Sequence, residues 1–415
     1  MKAPGKPFVI EERAVWEAWE KVKANRGAPG VDKTSIAVFE KDLKNNLYKI
    51  WNRMSSGTYF PPPVRAVEIP KKGGVRVLGV PTVGDRVAQT VVARVIEAEA
   101  EKVFHPDSYG YRPGRSALDA VGVCRERCWR YDWVVEFDIR AFFDSVPHDL
   151  IVKAVRSVCE VPWVVLYVKR WLVASLALPD GTLRERDRGT PQGSAISPVL
   201  ANLFLHYAFD GWMARQFPGC PFERYADDAV VHCASLEQAE QVLAAIGERM
   251  AGVGLELHPD KTRIVYCKDG KRRGAHEHES FTFLGYTFQP RGARRRDGKM
   301  FLSFLPAVSK DALTRMGAVV RGWALHRRTG LSEHELARWI NPVVRGWMAY
   351  YGAFYRSALY PFLARINAYL MRWSRHKYKR LRGFKKALVQ WERAVKLRPR
   401  FFAHWAWVTW IPPVW

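Results

Sequence analysis

Two adjacent aspartates, Asp227 and Asp228, stand between two short apolar stretches in the sequence FERYADDAVV (222–231). Neighbouring side chains of a strand point to opposite faces of the sheet. An uninterrupted strand would therefore bury one of these charges or leave it without a function. A bend between the two stretches would let both carboxylates project from one rim. Two such charges about 4 Å apart repel each other by about 4 kcal/mol at an effective dielectric of about 20. A fold tolerates that repulsion where cations bind, so the pair predicts a cation site.

A third carboxylate is expected from a separate strand. Asp138 stands at the polar end of the apolar stretch WVVEFDI (133–139), and Asp144 follows nearby. Carboxylate oxygens are the hard ligands that Mg²⁺ prefers, and two ions about 3.5 to 4 Å apart can activate a hydroxyl and stabilise a leaving pyrophosphate. Asp138, Asp227 and Asp228 are therefore candidate ligands for two Mg²⁺ ions, with Mn²⁺ as a possible substitute. From the Asp-Asp pair alone, an ordinary turn is the alternative.

Positive charge is concentrated in the last third of the chain. The 415 residues carry a formal net charge of +25, and residues 291–415 hold 26 of the 66 basic residues but only 5 of the 41 acidic ones. Such an excess indicates a polyanionic partner, most simply nucleic acid. In the stretch 372–400, basic and aromatic side chains alternate, which suits phosphate neutralisation and base stacking. Its candidate RNA-binding residues are Arg375, Lys377, Lys379 and Arg380.

Several classes of protein are excluded by simple patterns. No apolar stretch approaches the roughly 20 residues of a membrane span, and the N-terminal sequence MKAPGKPFVIEERAV lacks the apolar core of a signal peptide. The six cysteines show no CxxC pair and no zinc spacing, which favours reduced core positions. We expect a cytoplasmic, nucleoid-associated protein without a membrane partner; the sequence leaves its oligomeric state open.

Helical and strand patterns alternate along the chain, which predicts an α+β fold rather than a doubly wound sheet. The Gly73-Gly74 pair predicts a β-hairpin turn within residues 64–82. GARRRDGK (292–299) is the candidate domain boundary. Helices are expected at 12–23, 34–55, 85–101, from about 148, at 161–176, 196–216 and 236–253, and from about 308 onward; strands are expected at 133–139, 255–266 and 281–290.

The order of several stretches resembles the reverse transcriptase family, specifically the proteins encoded by bacterial group II introns. YADD alone has little specificity, but the ordered set is highly specific. The stretches are NRGAPGVD (25–32), IPKKGGVRVLGVPTVGDRVAQ (69–89), SYGYRPGRSALDAV (108–121), EFDIRAFFDSVPHD (136–149), GTPQGSAISPVLANLFL (189–205), YADD (225–228), LELHPDKT (255–262), FTFLGYTF (281–288) and the maturase-like residues 339–373.

The resemblance implies a right-hand polymerase with fingers, an antiparallel-sheet palm and an all-α thumb or maturase domain. Four segments follow from it. They are an N-terminal extension with the start of the fingers (1–68), the fingers and palm (69–290), the thumb or maturase domain (291–385), and a short basic and aromatic segment (386–415).

The resemblance also implies roles for residues at matching positions. Asp138, Asp227 and Asp228 would be the catalytic metal ligands, and Phe143 would be the steric gate that selects deoxynucleotides. The implied nucleotide-binding residues are Lys71, Arg76, Gln192 and Lys261, and the implied template-binding residues are Arg112 and Arg115. From the residues alone, the alternatives are a solvated hairpin face for Lys71 and Arg76, a core position for Phe143, and a surface ion pair for the two template arginines.

The implied function is RNA-directed DNA synthesis from a primer, together with binding of the protein's own structured intron RNA to assist splicing and retrohoming. Its partners would be the RNA template with its DNA primer, dNTPs, the intron RNA and target DNA. Many members of the family carry a Cys-rich endonuclease module after the maturase domain. No such cluster follows here, so we expect no second-strand cleavage, and mobility would need another primer.

Three alternatives remain open from the sequence. The first is an RNA-binding splicing factor with a silent polymerase site. The second is a domesticated relative that works in DNA repair, phage defence or spacer acquisition. The third is RNA-directed RNA synthesis, which would require efficient use of ribonucleotides.

Overall fold

The structure is a computed structural model that describes residues 5–71, 74–272, 274–294 and 297–412. Its helices are α1 (Glu12–Ala24), α2 (Ile36–Lys41), α3 (Leu43–Ser55), α4 (Val83–Ala100), α5 (Ala117–Cys128), α6 (Phe142–Ser145), α7 (His148–Arg156), α8 (Pro162–Leu172), α9 (Ser197–Leu205), α10 (Gly211–Gln216), α11 (Leu236–Gly252), α12 (Lys310–Gly322), α13 (Glu333–Tyr351), α14 (Tyr360–Lys377) and α15 (Phe384–Leu397). Its strands are β1 (Val64–Lys71), β2 (Gly74–Val80), β3 (Trp133–Asp138), β4 (Leu176–Ala177), β5 (Leu183–Arg184), β6 (Phe222–Tyr225), β7 (Asp228–Cys233), β8 (Arg263–Tyr266), β9 (Phe281–Phe283), β10 (Tyr286–Arg294) and β11 (Met300–Val308).

The chain divides into two compact units. The first comprises Met1–Ser116 and Val135–Arg263, and the second comprises Ala117–Val134 and Ile264–Trp415. Three sheets have the strand orders β2-β1-β4-β5, β6-β7-β3-β8 and β11-β10-β9. Helices and mainly antiparallel strands are thus mixed along the chain, which confirms the predicted α+β class.

The predicted hairpin at 64–82 is formed by β1 and β2, which pair antiparallel from Arg65↔Val80 to Lys71↔Gly74. β1 also pairs in parallel with the short strand β4, and Val64, Ala66 and Leu176 form a small apolar cluster there. The side chain of Lys71 and the predicted turn residue Gly73 lie outside the described part of the structure.

Three elements of the first unit differ from the sequence prediction. The helix expected at 34–55 is two helices, α2 and α3, because Asp42 leaves the helical conformation with φ −124° and ψ 46°. The helix expected at 161–176 ends at Leu172, and Leu176 instead pairs with β1. The strand expected at 255–266 is confined to β8, because a 3₁₀ turn occupies Pro259–Lys261.

The candidate domain boundary at 292–299 overlaps the end of β10, to which Gly292–Arg294 belong. β10 and β11 pair antiparallel along nine residues each, from Tyr286↔Val308 to Arg294↔Met300. The sequence analysis missed β11, whereas the helical part begins at Lys310, close to the predicted start at about 308. The boundaries of the four expected segments remain predictions.

The helices α12–α15 enclose the core of the second unit. Trp323 is buried there and Trp347 packs against that core, whereas Trp339 is 38% exposed. Trp391 and Trp405 belong to the same core. The predicted boundary at 385/386 falls inside α15, and residues beyond it contribute to the thumb-like core.

Two further expectations concern cysteines and membranes. All six cysteines are buried and free of disulfides, as their spacing predicted. None of the helices in the described part of the chain combines the length and the apolar composition that crossing a membrane requires.

Candidate active site and RNA-binding surface

The two adjacent aspartates lie at a tight bend, as predicted. Tyr225 at the end of β6 pairs with Asp228 at the start of β7, so Ala226 and Asp227 form a two-residue turn. We call residues 225–228 the aspartate turn. Ala226 adopts a left-handed conformation with φ 58°, which costs a residue with a Cβ about 1–2 kcal/mol. The turn removes the strand alternation that would have separated the two carboxylates.

Asp138 ends β3, which neighbours β7 in the sheet. The segment before β8 lies against this strand end, since the amide of His258 donates to the carbonyl of Asp138 at 2.8 Å and Arg140 donates to Glu256 at 2.8 Å. This arrangement places the ammonium of Lys261 2.5 Å from Oδ2 of Asp138. Lys261 therefore lies beside the candidate metal ligands, as its position in HPDKT implied.

The electrostatics connect Asp138 with the aspartate turn. Burial raises the pKa of the Asp227 carboxyl above its ordinary value, and the negative charge of Asp138 raises this pKa further. Its own backbone amide and the charges of Arg76 and Lys261 oppose that rise. The structure thus brings Asp138 and Asp227 close enough to repel each other, on a rim bordered by two cations.

The donor set fits divalent metal ions. It consists of carboxylate oxygens from Asp138, Asp227 and Asp228, the hard ligands that Mg²⁺ and Mn²⁺ prefer. Mutual repulsion between Asp138 and Asp227 would be relieved by a bound cation. Among the described residues, the three carboxylates do not form a cluster whose oxygens all lie within 4.8 Å of one another.

A loop at residues 189–195 contacts both the β1–β2 hairpin and the Phe143 segment. The Gly79 amide donates to the Gln192 carbonyl at 2.7 Å, and Nε of Arg76 donates to Oε1 of Gln192. Gly193 has φ +105°, and a Cβ there would lie 2.9 Å from the Gly79 carbonyl, so glycine is required by both conformation and space. The Thr190 amide donates to the Phe143 carbonyl at 2.7 Å. Arg76, Gln192 and Phe143 are therefore joined through one loop.

The two neighbouring phenylalanines occupy different environments. Phe142 is 2% exposed and packs against Phe204, whereas Phe143 is 8% exposed. Ala141, just before them, is left-handed with φ 46°, which turns the chain sharply after β3. Both residues are buried, and the role of Phe143 as the steric gate remains a proposal.

Tyr111 is a residue that the sequence analysis missed. Its side chain is 56% exposed, its φ is 57°, and its ring lies 6.4 Å from the ring of Tyr225. Burial of part of the ring and the nearby Asp227 charge raise the pKa of Tyr111. A large exposed aromatic residue thus borders the aspartate turn. Its place in GYRPG could have suggested a turn, but not this neighbour.

A buried carboxylate beneath the loop was also missed. Asp85 accepts hydrogen bonds from Tyr59 (2.8 Å), Trp171 (2.7 Å) and Gln89 (2.9 Å). Gln89 in turn accepts from the Ser194 hydroxyl at 2.7 Å and from the Ala195 amide at 2.9 Å. Burial raises the pKa of Asp85 to about 6. The only sequence signal was an acidic residue in the first turn of an apolar helix, which predicts an ordinary cap.

The structure corrects the expectation for Arg112. Its guanidinium is 6% exposed and pairs with both oxygens of Glu101, and it also donates to the carbonyls of His105 and Ser108. With its donors committed inside the fold, Arg112 supports the loop rather than contacting a template. Arg115 is exposed, lies 5.6 Å from the Tyr109 ring, and remains a candidate for template binding.

A groove of about 900 Å³ lies along α14 in the second unit. We call it the arginine groove; Arg365, Arg372, Arg375, Arg382, Tyr369 and Phe384 are among its lining residues. No carboxylate lines it in the described part of the chain. Four guanidinium groups with two aromatic rings provide the charge and the stacking surfaces that RNA requires.

The four predicted RNA-binding residues differ in their contacts. Arg375 lines the arginine groove, where its Nε donates to the Arg382 carbonyl at 2.9 Å. Lys379 and Arg380 are exposed. Lys377 instead donates to the carbonyls of Thr329 and Leu331 at 2.8 and 2.7 Å. Its ammonium therefore serves the fold, which corrects the expectation that it binds RNA.

Two family models match the chain. The model for the reverse transcriptase (RNA-dependent DNA polymerase) matches residues 69–288, and the model for the group II intron maturase-specific domain matches residues 313–391. The first match contains the candidate active site, and the second contains most of the arginine groove.

Individual relatives agree with these matches. Protein YkfC of Escherichia coli is 30% identical over 310 residues, which cover 63% of this chain and 77% of that protein. The group II intron-encoded protein LtrA of Lactococcus lactis subsp. cremoris is 30% identical over 204 residues, which cover 48% of this chain and 33% of LtrA. The putative COX1/OXI3 intron 1 protein of Saccharomyces cerevisiae is 30% identical over 199 residues, which cover 47% of this chain and 23% of that protein. The chain thus spans less than half the length of two of these three relatives.

Proposed function

The chain belongs to the reverse transcriptase (RNA-dependent DNA polymerase) family and carries a group II intron maturase-specific domain, and from that premise we propose its reaction and its RNA partner. It extends a DNA primer on an RNA template with dNTPs. It also binds the structured RNA of its group II intron, assists splicing, and takes part in retrohoming into target DNA. These steps take place at nucleic acid in the cytoplasm or nucleoid.

One observation carries the polymerase proposal. Asp138 and the aspartate turn, far apart in sequence, lie so close that the charge of Asp138 raises the pKa of Asp227. Two Mg²⁺ ions, held by Asp138, Asp227 and Asp228, would supply activation of the primer 3′-hydroxyl and stabilisation of the leaving pyrophosphate. Lys261, 2.5 Å from Asp138, neutralises part of the acidic charge at this rim.

The remaining side chains of the site bind and select the nucleotide. Arg76 is held by Gln192 on the exposed face of β2, where its guanidinium can neutralise charge on the triphosphate. The carbonyl of Gln192 accepts a hydrogen bond from the Gly79 amide. The Gln192 side chain would contact the sugar of the incoming nucleotide. Phe143 excludes a 2′-hydroxyl, and Lys71 on the same hairpin is a second triphosphate ligand.

The arginine groove supports the proposal that the second unit holds intron RNA. Among the described residues, no carboxylate lines the groove to offset its positive charge. Most of its lining residues lie within the maturase-specific match at 313–391. Arg375 lines the groove, and Lys379 and Arg380 are exposed basic residues that follow it in the chain. Binding through phosphates should weaken steeply with salt, because condensed counterions are released.

Primer extension by the purified protein tests the proposal. Wild-type protein, a primed RNA template, Mg²⁺ and dNTPs should give extended DNA, and Asp227→Asn should abolish extension because a metal ligand is lost. RNA affinity of Asp227→Asn should stay close to that of wild type, since the RNA surface is in the other unit. Asp149→Asn removes an exposed carboxylate of α7 and is the matched control.

The outcomes separate the proposal from its rivals. An absence of extension by wild-type protein that still binds RNA would leave a splicing factor with a silent polymerase site. Loss of RNA affinity in Asp227→Asn would contradict the division of labour between the two units. Splicing is tested by mixing the protein with precursor RNA from its own locus; a lack of any enclosing group II intron there would refute the maturase role.

A further inference from the structure

We propose that the buried ion pair between Arg224 and Asp210 is a positioning device that holds the aspartate turn in its left-handed conformation. What the turn does in the reaction rests on the proposed polymerase function. The contacts that hold it stand on their own, because all of them lie within the first unit.

The Arg224 guanidinium uses all five of its N–H groups inside the protein. Nε and Nη2 donate to the two oxygens of Asp210, both at 2.6 Å. Nη1 donates to Asn202 Oδ1 and to the Ala226 carbonyl, both at 3.0 Å, and Nη2 also donates to the Ser108 hydroxyl at 2.8 Å. Arg224 is 1% exposed and Asp210 is fully buried. One guanidinium therefore ties the strained residue of the turn to a helix and a loop.

The loop that bears Ser108 lies directly against the aspartate turn. The Arg224 amide donates to the Asp107 carbonyl at 2.9 Å, and the Tyr109 amide donates to the Arg224 carbonyl at 2.8 Å. A Cβ at Gly110 would overlap the backbone of Ala226, so glycine permits the close approach. Backbone and side chain of Arg224 thus fix the turn from two sides.

The winding of the supporting helix explains how Asp210 and Asn202 reach the same guanidinium. They are eight residues apart, and a regular α-helix would rotate one about 80° away from the other. Between them the chain forms a π-helical turn, His206–Asp210, between α9 and α10. Its wider winding brings both side chains onto one face, and such turns occur frequently at functional sites.

Stability alone does not account for this arrangement. A buried ion pair costs desolvation, and well-packed apolar residues of similar volume often stabilise a fold equally well or better. An apolar residue could not replace this arginine, because the guanidinium donates to the carbonyl of left-handed Ala226, which directly precedes the candidate metal ligand Asp227. Arg224 and Asp210 are therefore positioning residues for Asp227 and Asp228.

A double-variant cycle tests the device. Arg224→Lys keeps a positive charge opposite Asp210 but cannot make the five contacts, so the turn should leave its left-handed state more often. We expect hydrogen exchange of peptides covering 222–233 to accelerate by about 5- to 30-fold, the factor set by the cost of a left-handed alanine. The rate of primer extension should fall by a similar factor, and the Mg²⁺ concentration for half-maximal rate should rise.

The second change, Ala226→Gly, makes the cycle diagnostic. Glycine adopts left-handed φ without strain, so Arg224→Lys combined with Ala226→Gly should regain most of the exchange protection and most of the rate. A merely structural arginine would lower thermal stability and would show no such rescue. Arg249→Lys is the matched control, because Arg249 donates to the carbonyls of Ala208 and Tyr207 in the same π turn but not to the aspartate turn.

Each outcome decides the proposal. Rescue of exchange protection by Ala226→Gly supports it, and failure of rescue overturns it. Hydrogen exchange is measured without substrates, so a wild-type protein that extends no primer would refute the polymerase function while the exchange data still decide the device. If Arg224→Lys does not fold, Asn202→Ala leaves the ion pair in place and removes one anchor. It should then accelerate exchange at 222–233 to a smaller extent, and unchanged exchange would overturn the proposal.

Discussion

Replacement of Asp85 by asparagine should change how the stability of the protein depends on pH. Burial raises the pKa of Asp85 from its ordinary value of 3.8 to about 6, against the hydrogen bonds from Trp171, Tyr59 and Gln89 that favour its charged form. The carboxyl therefore holds its proton longer in the folded state than in the unfolded state. Its contribution to stability is fully present below pH 3.8 and is lost as pH rises through about 6.

The magnitude follows from the size of the shift. About two pKa units at about 1.4 kcal/mol each give about 3 kcal/mol over the whole window, of which about 2 kcal/mol falls between pH 4.5 and 7.5. Asp85→Asn removes this titration. The amide introduced by this substitution also brings an N–H group toward the side-chain N–H of Gln89. Two facing donors lower the free energy of unfolding by about 1–3 kcal/mol at every pH. The stability gap between wild type and Asp85→Asn should therefore narrow by about 2 kcal/mol as pH rises from 4.5 to 7.5.

Urea denaturation at several pH values measures this gap. Tyr59→Phe removes a hydrogen bond to the charged form of Asp85, so it should move the window of lost stability to higher pH. Tyr167→Phe is the control, because the Tyr167 hydroxyl donates to the Met54 carbonyl at 2.6 Å and not to Asp85. A gap between wild type and Asp85→Asn that stays constant from pH 4.5 to 7.5 would refute the reasoning.

Three further predictions concern selectivity, RNA binding and the second unit. Phe143→Ala should raise incorporation of ribonucleotides relative to deoxynucleotides in single-nucleotide extension, whereas Phe142→Ala should mainly lower stability. The same ribonucleotide selectivity in both variants would contradict the steric-gate role of Phe143. Arg372→Ala should reduce the slope of log affinity against log salt concentration by about 1, while Lys377→Ala, whose ammonium binds backbone carbonyls, should leave the slope unchanged and lower the melting temperature. Burial lowers the pKa of His404 to about 3. The contribution of His404 to the free energy of unfolding is therefore present above about pH 6.5 and is lost as pH falls toward 3. His404→Gln should flatten this acid loss in thermal unfolding, and an unchanged acid loss would contradict the assignment.

Local patterns predicted most elements because each pattern reports a local property. The alternation around Gly73-Gly74 predicted the β1–β2 hairpin, and the apolar stretches on either side of Asp227 and Asp228 predicted a bend there. The same reasoning failed at 292–299, a candidate domain boundary, because Gly292–Arg294 belong to β10, which pairs antiparallel with the next strand, β11. Strand pairing depends on the partner strand, and the composition of one short stretch does not identify it.

For the same reason, the sequence did not predict contacts between side chains that are far apart in the chain. Lys377 was expected to bind RNA because of its charge, and Arg112 was expected to bind the template because of the family resemblance. In the structure Lys377 donates to the carbonyls of Thr329 and Leu331, and Arg112 pairs with Glu101. A charged residue looks alike in sequence whether its partner is water, a carbonyl or a phosphate. Only its surroundings tell these cases apart.

The sequence alone establishes which chemical groups this protein carries. It contains carboxylates for hard cations, a hairpin with basic residues and a strongly basic last third. It also places Phe143 shortly after Asp138 in the chain. The tertiary structure decided which of these groups meet. It placed Asp138 beside the aspartate turn, joined Arg76 to Gln192, and set Arg224 against Asp210 through a π turn. Side-chain identity is a local property of the chain, but electrostatic and hydrogen-bonding effects depend on distances of a few ångströms, which folding alone sets.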